Sequence, residues 1–79
     1  EIQIIPNPNL GAFRVVIDEK LKNGMLLLID FHGKILLKKQ IPGLEDYIHI
    51  KPDQISAGMY LIKIFKNEFQ SNRRIIILK

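Results

Sequence analysis

The chain has 79 residues, of which 47% are hydrophobic and 25% charged, and its formal net charge is +4. This composition excludes a disordered tail and predicts one small globular domain, with little room for a deep catalytic cleft beside the core. The absence of cysteine excludes a disulfide framework and a thiolate metal site.

The first two apolar segments predict short strands separated by a loop. Residues 2–5 have the composition of an edge strand, and Pro6 and Pro8 should end its pairing because proline cannot donate to a ladder. The two prolines should also hold this part of the chain extended. Alternation over residues 13–17 predicts a second strand with one buried face, and a polar link over residues 19–24 follows it.

The third and fourth segments predict a hairpin. Residues 25–31 are almost continuously apolar, so the sequence does not fix which side faces the core. Such a run is typical of a central strand covered on both sides, or of a strand beside a partner surface. His32-Gly33 has the composition of a two-residue turn with positive φ, and residues 34–41 then return as the fourth strand.

Three more strands follow. Pro42-Gly43 fits the central pair of a type II turn, and residues 47–50 predict a short strand. Strict alternation over residues 59–66 predicts a half-buried strand with its even-numbered residues on one face. Residues 67–68 are predicted to turn, and residues 69–79 to form the seventh strand.

Seven short strands with turn signals roughly every eight to twelve residues predict an all-β fold, an immunoglobulin-like antiparallel β-sandwich. Two sheets packed face to face hide the apolar faces that a single sheet would leave exposed. A small barrel is the alternative, and the pattern does not assign the strand order.

The sequence also bears on the wider organisation of the protein. Its apolar runs are far too short to span a bilayer, and no signal peptide is visible. Because the chain starts at Glu1 without methionine, we expect one domain, residues 1–79, excised from a longer protein whose other domain lies upstream. The cations are spread out, which is more typical of solvated strand faces than of nucleic-acid or lipid binding.

Four short motifs occur in order along the chain. They are Pro6-Asn7-Pro8, Asp30-Phe31-His32-Gly33-Lys34, Ser56-Ala57-Gly58-Met59-Tyr60, and an ending in which Arg74 precedes apolar residues and Lys79. Together they resemble the P-N-P opening, the D-x-x-G-[KR] hairpin, the S-x-G-x-Y strand and the basic, then β-branched ending of type IX secretion system C-terminal sorting domains (Por secretion system, type A) of Bacteroidota. The chain differs at Ile5 and Ile29, where family members often carry an aromatic residue.

This resemblance implies a non-catalytic C-terminal secretion signal on a larger exported protein. Such domains fold in the periplasm and are recognised by the outer-membrane type IX machinery. A sortase-like peptidase usually removes them, and the upstream cargo reaches the cell surface or the medium. The resemblance implies the following sorting-motif residues: Pro6, Asn7, Pro8, Asp30, Gly33, Gly58, Tyr60, Arg74 and Lys79.

Each motif residue also has a structural interpretation. Pro6 and Pro8 either form a rigid lead-in that positions a linker for recognition or cleavage, or simply end a strand. Gly33 and Gly58 are expected to supply backbone angles that other residues disfavour. Tyr60 is expected to be a core tyrosine bonded to a nearby backbone carbonyl, with direct receptor contact as the alternative.

The last strand is the preferred recognition surface on sequence grounds. Arg73, Arg74 and Lys79 flank an apolar run, and an exposed edge strand there could add to a partner's sheet through main-chain hydrogen bonds. The alternative is an ordinary core strand with guarding charges. Removal of residues 77–79 is expected to block export and to leave the domain folded.

Residues that could carry chemistry are scattered. His32 and His49 lie in different predicted elements, and a zinc site would need a further ligand to converge on them. Adjacent acids such as Glu45-Asp46 diverge at strand ends, and no serine lies in a nucleophile motif. We therefore expect no enzyme activity, no metal and no cofactor.

Two other functions compete with protein sorting. A carbohydrate- or surface-binding module of a secreted enzyme or adhesin would need about three exposed, coplanar aromatic rings, although the core also needs aromatic residues. Nucleic-acid binding would need cations and aromatic residues on one face. The aromatic residues are Phe13, Phe31, Tyr47, Tyr60, Phe65 and Phe69.

Overall fold

The computed structural model describes residues 2–78, which form seven β-strands and one short 3₁₀ turn, Glu19–Leu21. The strands are β1 (Gln3–Ile5), β2 (Phe13–Val16), β3 (Met25–Ile29), β4 (Ile35–Gln40), β5 (Tyr47–Ile50), β6 (Gly58–Lys66) and β7 (Phe69–Ile77).

The strands pair antiparallel in two separate sheets. One has three strands in the order β1-β2-β5, and the other has four in the order β4-β3-β6-β7. The first, second and fifth strands therefore lie opposite the third, sixth and seventh, as in immunoglobulin domains, while β4 extends the edge beside β3. The predicted all-β sandwich is confirmed, and because the sheets share no strand, the alternative of a barrel is wrong.

The core lies between the two sheets and follows the predicted alternation. The even-numbered residues of β6 from Tyr60 to Ile64 are buried, as are Leu26 and Leu28 of β3. Alternate residues of β2 and β5 cover them from the other sheet. Burial of the larger aliphatic side chains, about 1.5–3 kcal/mol each, is the main force that holds the two sheets together.

The hairpin between β3 and β4 differs from the prediction. Asp30 N donates to Lys34 O (2.9 Å) and Gly33 N to Asp30 O (3.0 Å), so the loop has three residues rather than two. Within this loop positive φ occurs at Gly33 (85°) but not at His32. The reason is the Asp30 carboxylate, whose Oδ1 accepts hydrogen bonds from the backbone N–H groups of His32 and Lys34, both at 2.8 Å. Residues 30–31 and 34 consequently lie outside the strands.

The predicted type II turn at Pro42-Gly43 is wrong, because Gly43 does not have the positive φ that this turn requires. A Cβ at this position would lie 2.6 Å from Oδ1 of the exposed Asn23, so a side chain there would displace that amide.

Candidate recognition site

All four sequence motifs meet at one end of the sandwich. This end contains the segment of residues 6–9, the hairpin loop of residues 30–34, residues 56–60 at the start of β6, and residues 74–78 at the end of β7. We call it the motif end. The site residue Lys79 lies outside the described part of the chain.

Two asparagines attach the first motif to the last. The side chain of Asn7 lies along the free edge of β7: its Nδ2 donates to Arg74 O (3.2 Å), and its Oδ1 accepts from Ile76 N (3.2 Å). The backbone of Asn9 continues the contact, since Asn9 N donates to Ile76 O (3.0 Å) and Leu78 N donates to Asn9 O (2.7 Å). We call this pair of residues the asparagine belt.

Asn9 also holds the shape of its own loop. It is 3% exposed, its Nδ2 donates to Pro6 O (3.2 Å), and its Oδ1 accepts from Gly11 N (2.8 Å). Strand β1 ends at Ile5, as the prolines predict, but the chain bends at each of residues 6–8 instead of running extended. The side-chain amides of the belt bind backbone groups within and beside this bend.

The belt changes the interpretation of the last strand. Strand β7 is an edge strand, as predicted. However, Arg74 O, the N–H and C=O of Ile76, and Leu78 N already bind residues 7–9. A partner strand that used these groups would first have to displace the belt, so main-chain addition at residues 74–78 is blocked in the folded domain.

The hairpin loop presents a fixed shape with an exposed tip. The backbone N–H groups of Lys34 and His32 donate to Asp30 and hold the pKa of its carboxyl below the ordinary value. Gly33 needs only its backbone angle, because a Cβ there would have no neighbour within 4 Å. Phe31 at the tip is 79% exposed.

Tyr60 forms the tyrosine corner of an immunoglobulin-like sandwich. Its ring is 7% exposed and its hydroxyl donates to Ser56 O at 2.6 Å. This is the core role that the sequence suggests. Gly58, two residues earlier, has φ of 151° and lets the chain enter β6.

A shallow cleft of about 330 Å³ lies between these elements, lined by Asp30, Phe31, Met59, Tyr60, Leu61 and Arg74. A second depression adjoins it at Met59 and Arg74, and Asn7, Pro8 and Ile76 complete its lining. We call the two together the Met59 cleft. Met59 is 41% and Ile76 42% exposed, and the Arg74 guanidinium has no ion pair with any described residue.

The structure therefore brings together eight of the nine predicted site residues: Pro6, Asn7, Pro8, Asp30, Gly33, Gly58, Tyr60 and Arg74. Sequence analysis missed the roles of Asn9, Met59 and Ile76. The available signal for Asn9 was a second asparagine directly after the prolines, and for Met59 and Ile76 it was their place on the side of an alternating strand opposite the core residues.

The exposed aromatic rings that carbohydrate binding would require do not form one platform. The exposed aromatic residues lie at different places: Phe31 in the hairpin loop, Tyr47 on the outer face of the three-stranded sheet, Phe65 on that of the four-stranded sheet, and Phe69 at the first position of β7. Within residues 2–78 no three His, Cys, Asp or Glu side chains are grouped to hold a metal ion. The same residues include no helix of the length and hydropathy needed to cross a membrane.

Comparison with known proteins agrees with the motifs. The family described as secretion system C-terminal sorting domain matches residues 3–78. A search of curated proteins gave no match. Since the family match covers nearly the whole chain, the chain belongs to the type IX secretion C-terminal sorting domains.

Proposed function

We propose that this domain is a non-catalytic export signal at the C-terminal end of a larger protein, and that the outer-membrane type IX machinery recognises it through the motif end. Its cargo would lie upstream in the same chain and travel to the cell surface or the medium. A sortase-like peptidase would then remove the domain. Family membership supports the role as a sorting signal.

The convergence of the four motifs carries the proposal for the motif end. Asn7 and Arg74 are exposed and 67 residues apart in sequence, yet they are joined by a hydrogen bond. Neither residue contributes to the core. Residues that shape one surface without filling the interior are typical of recognition.

Export of a fusion protein tests the proposal. The domain is fused behind a periplasmic reporter and expressed in a Bacteroidota strain with a working type IX system, and reporter activity is measured in the periplasm and the medium. We expect export of the unaltered fusion, and at least a tenfold loss for Met59→Glu combined with Arg74→Glu. Lys51→Glu, an exposed charge reversal in the loop after β5, is the matched control.

The possible outcomes separate the parts of the proposal. Retention of the unaltered fusion in the periplasm would contradict the sorting function. Normal export of a folded Met59→Glu/Arg74→Glu fusion would contradict the motif end as the recognised surface. Circular dichroism of the purified domains establishes which variants are folded.

The structure also sharpens the truncation experiment. Removal of residues 77–79 would delete Ile77, a buried core residue, at a cost of about 2–5 kcal/mol, so a loss of export in this variant would not separate recognition from unfolding. Removal of residues 78–79 spares the core and breaks the hydrogen bond from Leu78 N to Asn9 O. Loss of export in this shorter truncation would support a recognised terminus.

A further inference from the structure

The outer face of the four-stranded sheet is largely apolar although nothing in the described chain covers it. Its outward-facing residues include Leu27 and Ile29 of β3, Met59, Leu61 and Phe65 of β6, and Ile76 of β7. We call the outward-facing side of β3, β4, β6 and β7 the open face. It is continuous with the Met59 cleft through Met59, Leu61 and Ile76.

Strand β3 has apolar side chains on both of its sides. Its inward residues Leu26 and Leu28 are fully buried by the core, while Met25, Leu27 and Ile29 point outward and are half-buried. A strand with a continuous apolar run usually has packed layers on both faces. The four-stranded sheet is thus largely apolar on both faces, and residues 2–78 cover only one of them.

The charges of this sheet have one sign. None of the four strands contains Asp or Glu, whereas Lys38, Lys63 and Arg74 point outward. None of these three cations forms an ion pair with a described residue.

The cations lie beside the central apolar residues. Lys38 and Lys63 are the two lateral neighbours of Leu27, and Arg74 is the neighbour of Leu61. The open face therefore combines apolar area with three uncompensated positive charges at fixed positions.

We propose that the open face is the docking surface for an acidic, apolar segment of a partner protein, which packs on it as a third layer and places carboxylates against Lys38, Lys63 and Arg74. This inference rests on the proposed function, because it assigns the partner to the export machinery. The contact uses side chains alone, since β3 and β6 are paired on both sides and have no free main-chain edge.

A protein partner matches this face better than an anionic lipid surface does. Lys63 is half-buried in the middle of the face, between Leu27 and Asn72. Insertion of the apolar residues into lipid would draw this ammonium group into the hydrocarbon, which is costly without a paired charge. A facing carboxylate satisfies the same group.

The test is an NMR titration of the isotope-labelled domain with a synthetic amphipathic helical peptide that has leucines on one face and glutamates along both flanks. Peptides with Gln or Lys in place of each Glu are the controls, and vesicles of phosphatidylglycerol form a separate arm. We expect shifts confined to the open face, with Kd for the Glu peptide about tenfold lower than for the Gln peptide. Lys63→Glu should weaken that binding about tenfold, and Lys51→Glu should leave it unchanged.

Several results would overturn the inference: equal affinity for the Glu and Gln peptides, no binding of the Glu peptide, shifts produced by the vesicles but not by the peptide, or concentration-dependent self-association through the same residues. The reporter fusion separates this inference from the function on which it rests. Export of the unaltered fusion together with normal export of Lys63→Glu would overturn the docking surface and leave the sorting function intact. Retention of the unaltered fusion would contradict the sorting function itself.

Discussion

The two ends of the sandwich close their loops over the same core in different ways. At the motif end, side chains bind backbone groups: Asn7 and Asn9 hold β7, Asp30 holds its hairpin, and Tyr60 holds the loop before β6. At the opposite end, formed by residues 17–24, 41–46 and 66–69, one side chain binds backbone, since Asp18 Oδ1 accepts from Lys20 N, and elsewhere backbones approach each other directly. There Ile41 N donates to Gly24 O (2.9 Å).

The glycines show the same contrast. A Cβ on Gly24 would lie 2.7 Å from Phe65 O and 2.9 Å from Leu21 O, whereas a Cβ on Gly33 would meet nothing within 4 Å. The opposite end therefore needs the absence of side chains so that segments can pack. The motif end needs particular side chains and backbone angles instead.

Loss of the Asn9 side chain should give the largest effect. Asn9→Ala leaves the buried N–H of Gly11 without its acceptor and removes the bond to Pro6 O, so we expect a loss of about 3 kcal/mol in the free energy of unfolding. Urea unfolding measures this value. Asn9→Asp keeps an acceptor for Gly11 N but buries a carboxylate with an oxygen against Pro6 O, so it should lose at least as much. A loss below about 1 kcal/mol for Asn9→Ala would show that the motif end does not depend on side-chain hydrogen bonds.

At the opposite end the corresponding test adds a methyl group where the neighbouring backbone leaves no room for one. Gly24→Ala forces the backbone of residue 65 or 21 to move, and we expect a loss of about 2 kcal/mol in urea unfolding. Gly33→Ala is the matched control at the motif end, where only the positive φ is unfavourable and the loss should be about 1 kcal/mol. Equal losses for the two variants would remove the contrast between the ends.

The tyrosine corner gives a smaller effect. Tyr60→Phe keeps the buried ring and removes the hydroxyl that donates to Ser56 O, so the expected loss is about 1 kcal/mol. Ser56→Ala leaves that backbone acceptor in place and removes only a 3.4 Å hydroxyl contact, so it should be nearly neutral in the same unfolding measurement. A larger loss for Ser56→Ala than for Tyr60→Phe would contradict the assigned acceptor.

The sequence predicted what depends on local periodicity. Alternation placed Tyr60, Ile62 and Ile64 on a buried face, and turn residues divided the seven strands. It could not predict the strand order, because register and pairing depend on contacts between distant segments. The three-residue loop at residues 31–33 was missed because the Asp30 side chain, rather than the two central residues, decides the loop length.

Of the candidate site, the motifs named the residues but not their arrangement. Nothing local in the sequence places Asn7 beside Arg74, and the belt that blocks the edge of β7 became visible only in three dimensions. The sequence did not show which side of residues 25–31 faces the core. In the structure the odd-numbered residues of β3, which belong to this run, lie at the centre of the open face.

The smallest predicted effects concern how stability changes with pH, and the change has opposite directions at the two ends. The N–H groups of Lys34 and then His32 hold the pKa of Asp30 below its ordinary value, so its contribution to stability is full above the unfolded-state pKa of about 4 and is lost as the pH falls through the folded-state value. At the opposite end, the hydrogen bond to Asp46, followed by the charge of Glu19, raises the pKa of Lys22. That contribution is full below the unfolded-state pKa of about 10 and is lost as the pH rises through the folded-state value.

Thermal unfolding of the unaltered domain, Asp30→Asn and Lys22→Gln, measured from acid to alkaline pH, tests both directions of the pH dependence. The difference in free energy of unfolding between the unaltered domain and Asp30→Asn should shrink in acid, because protonation removes the charge on which the extra stability depends. The difference from Lys22→Gln should shrink in alkali instead. The acidic partners of Lys22 are exposed and Asp30 lies in a surface loop, so both differences should also fall with added salt. If the differences in free energy of unfolding for the two variants both disappeared in acid, or both in alkali, an acidic group at one end and a basic group at the other could not be the stabilising groups.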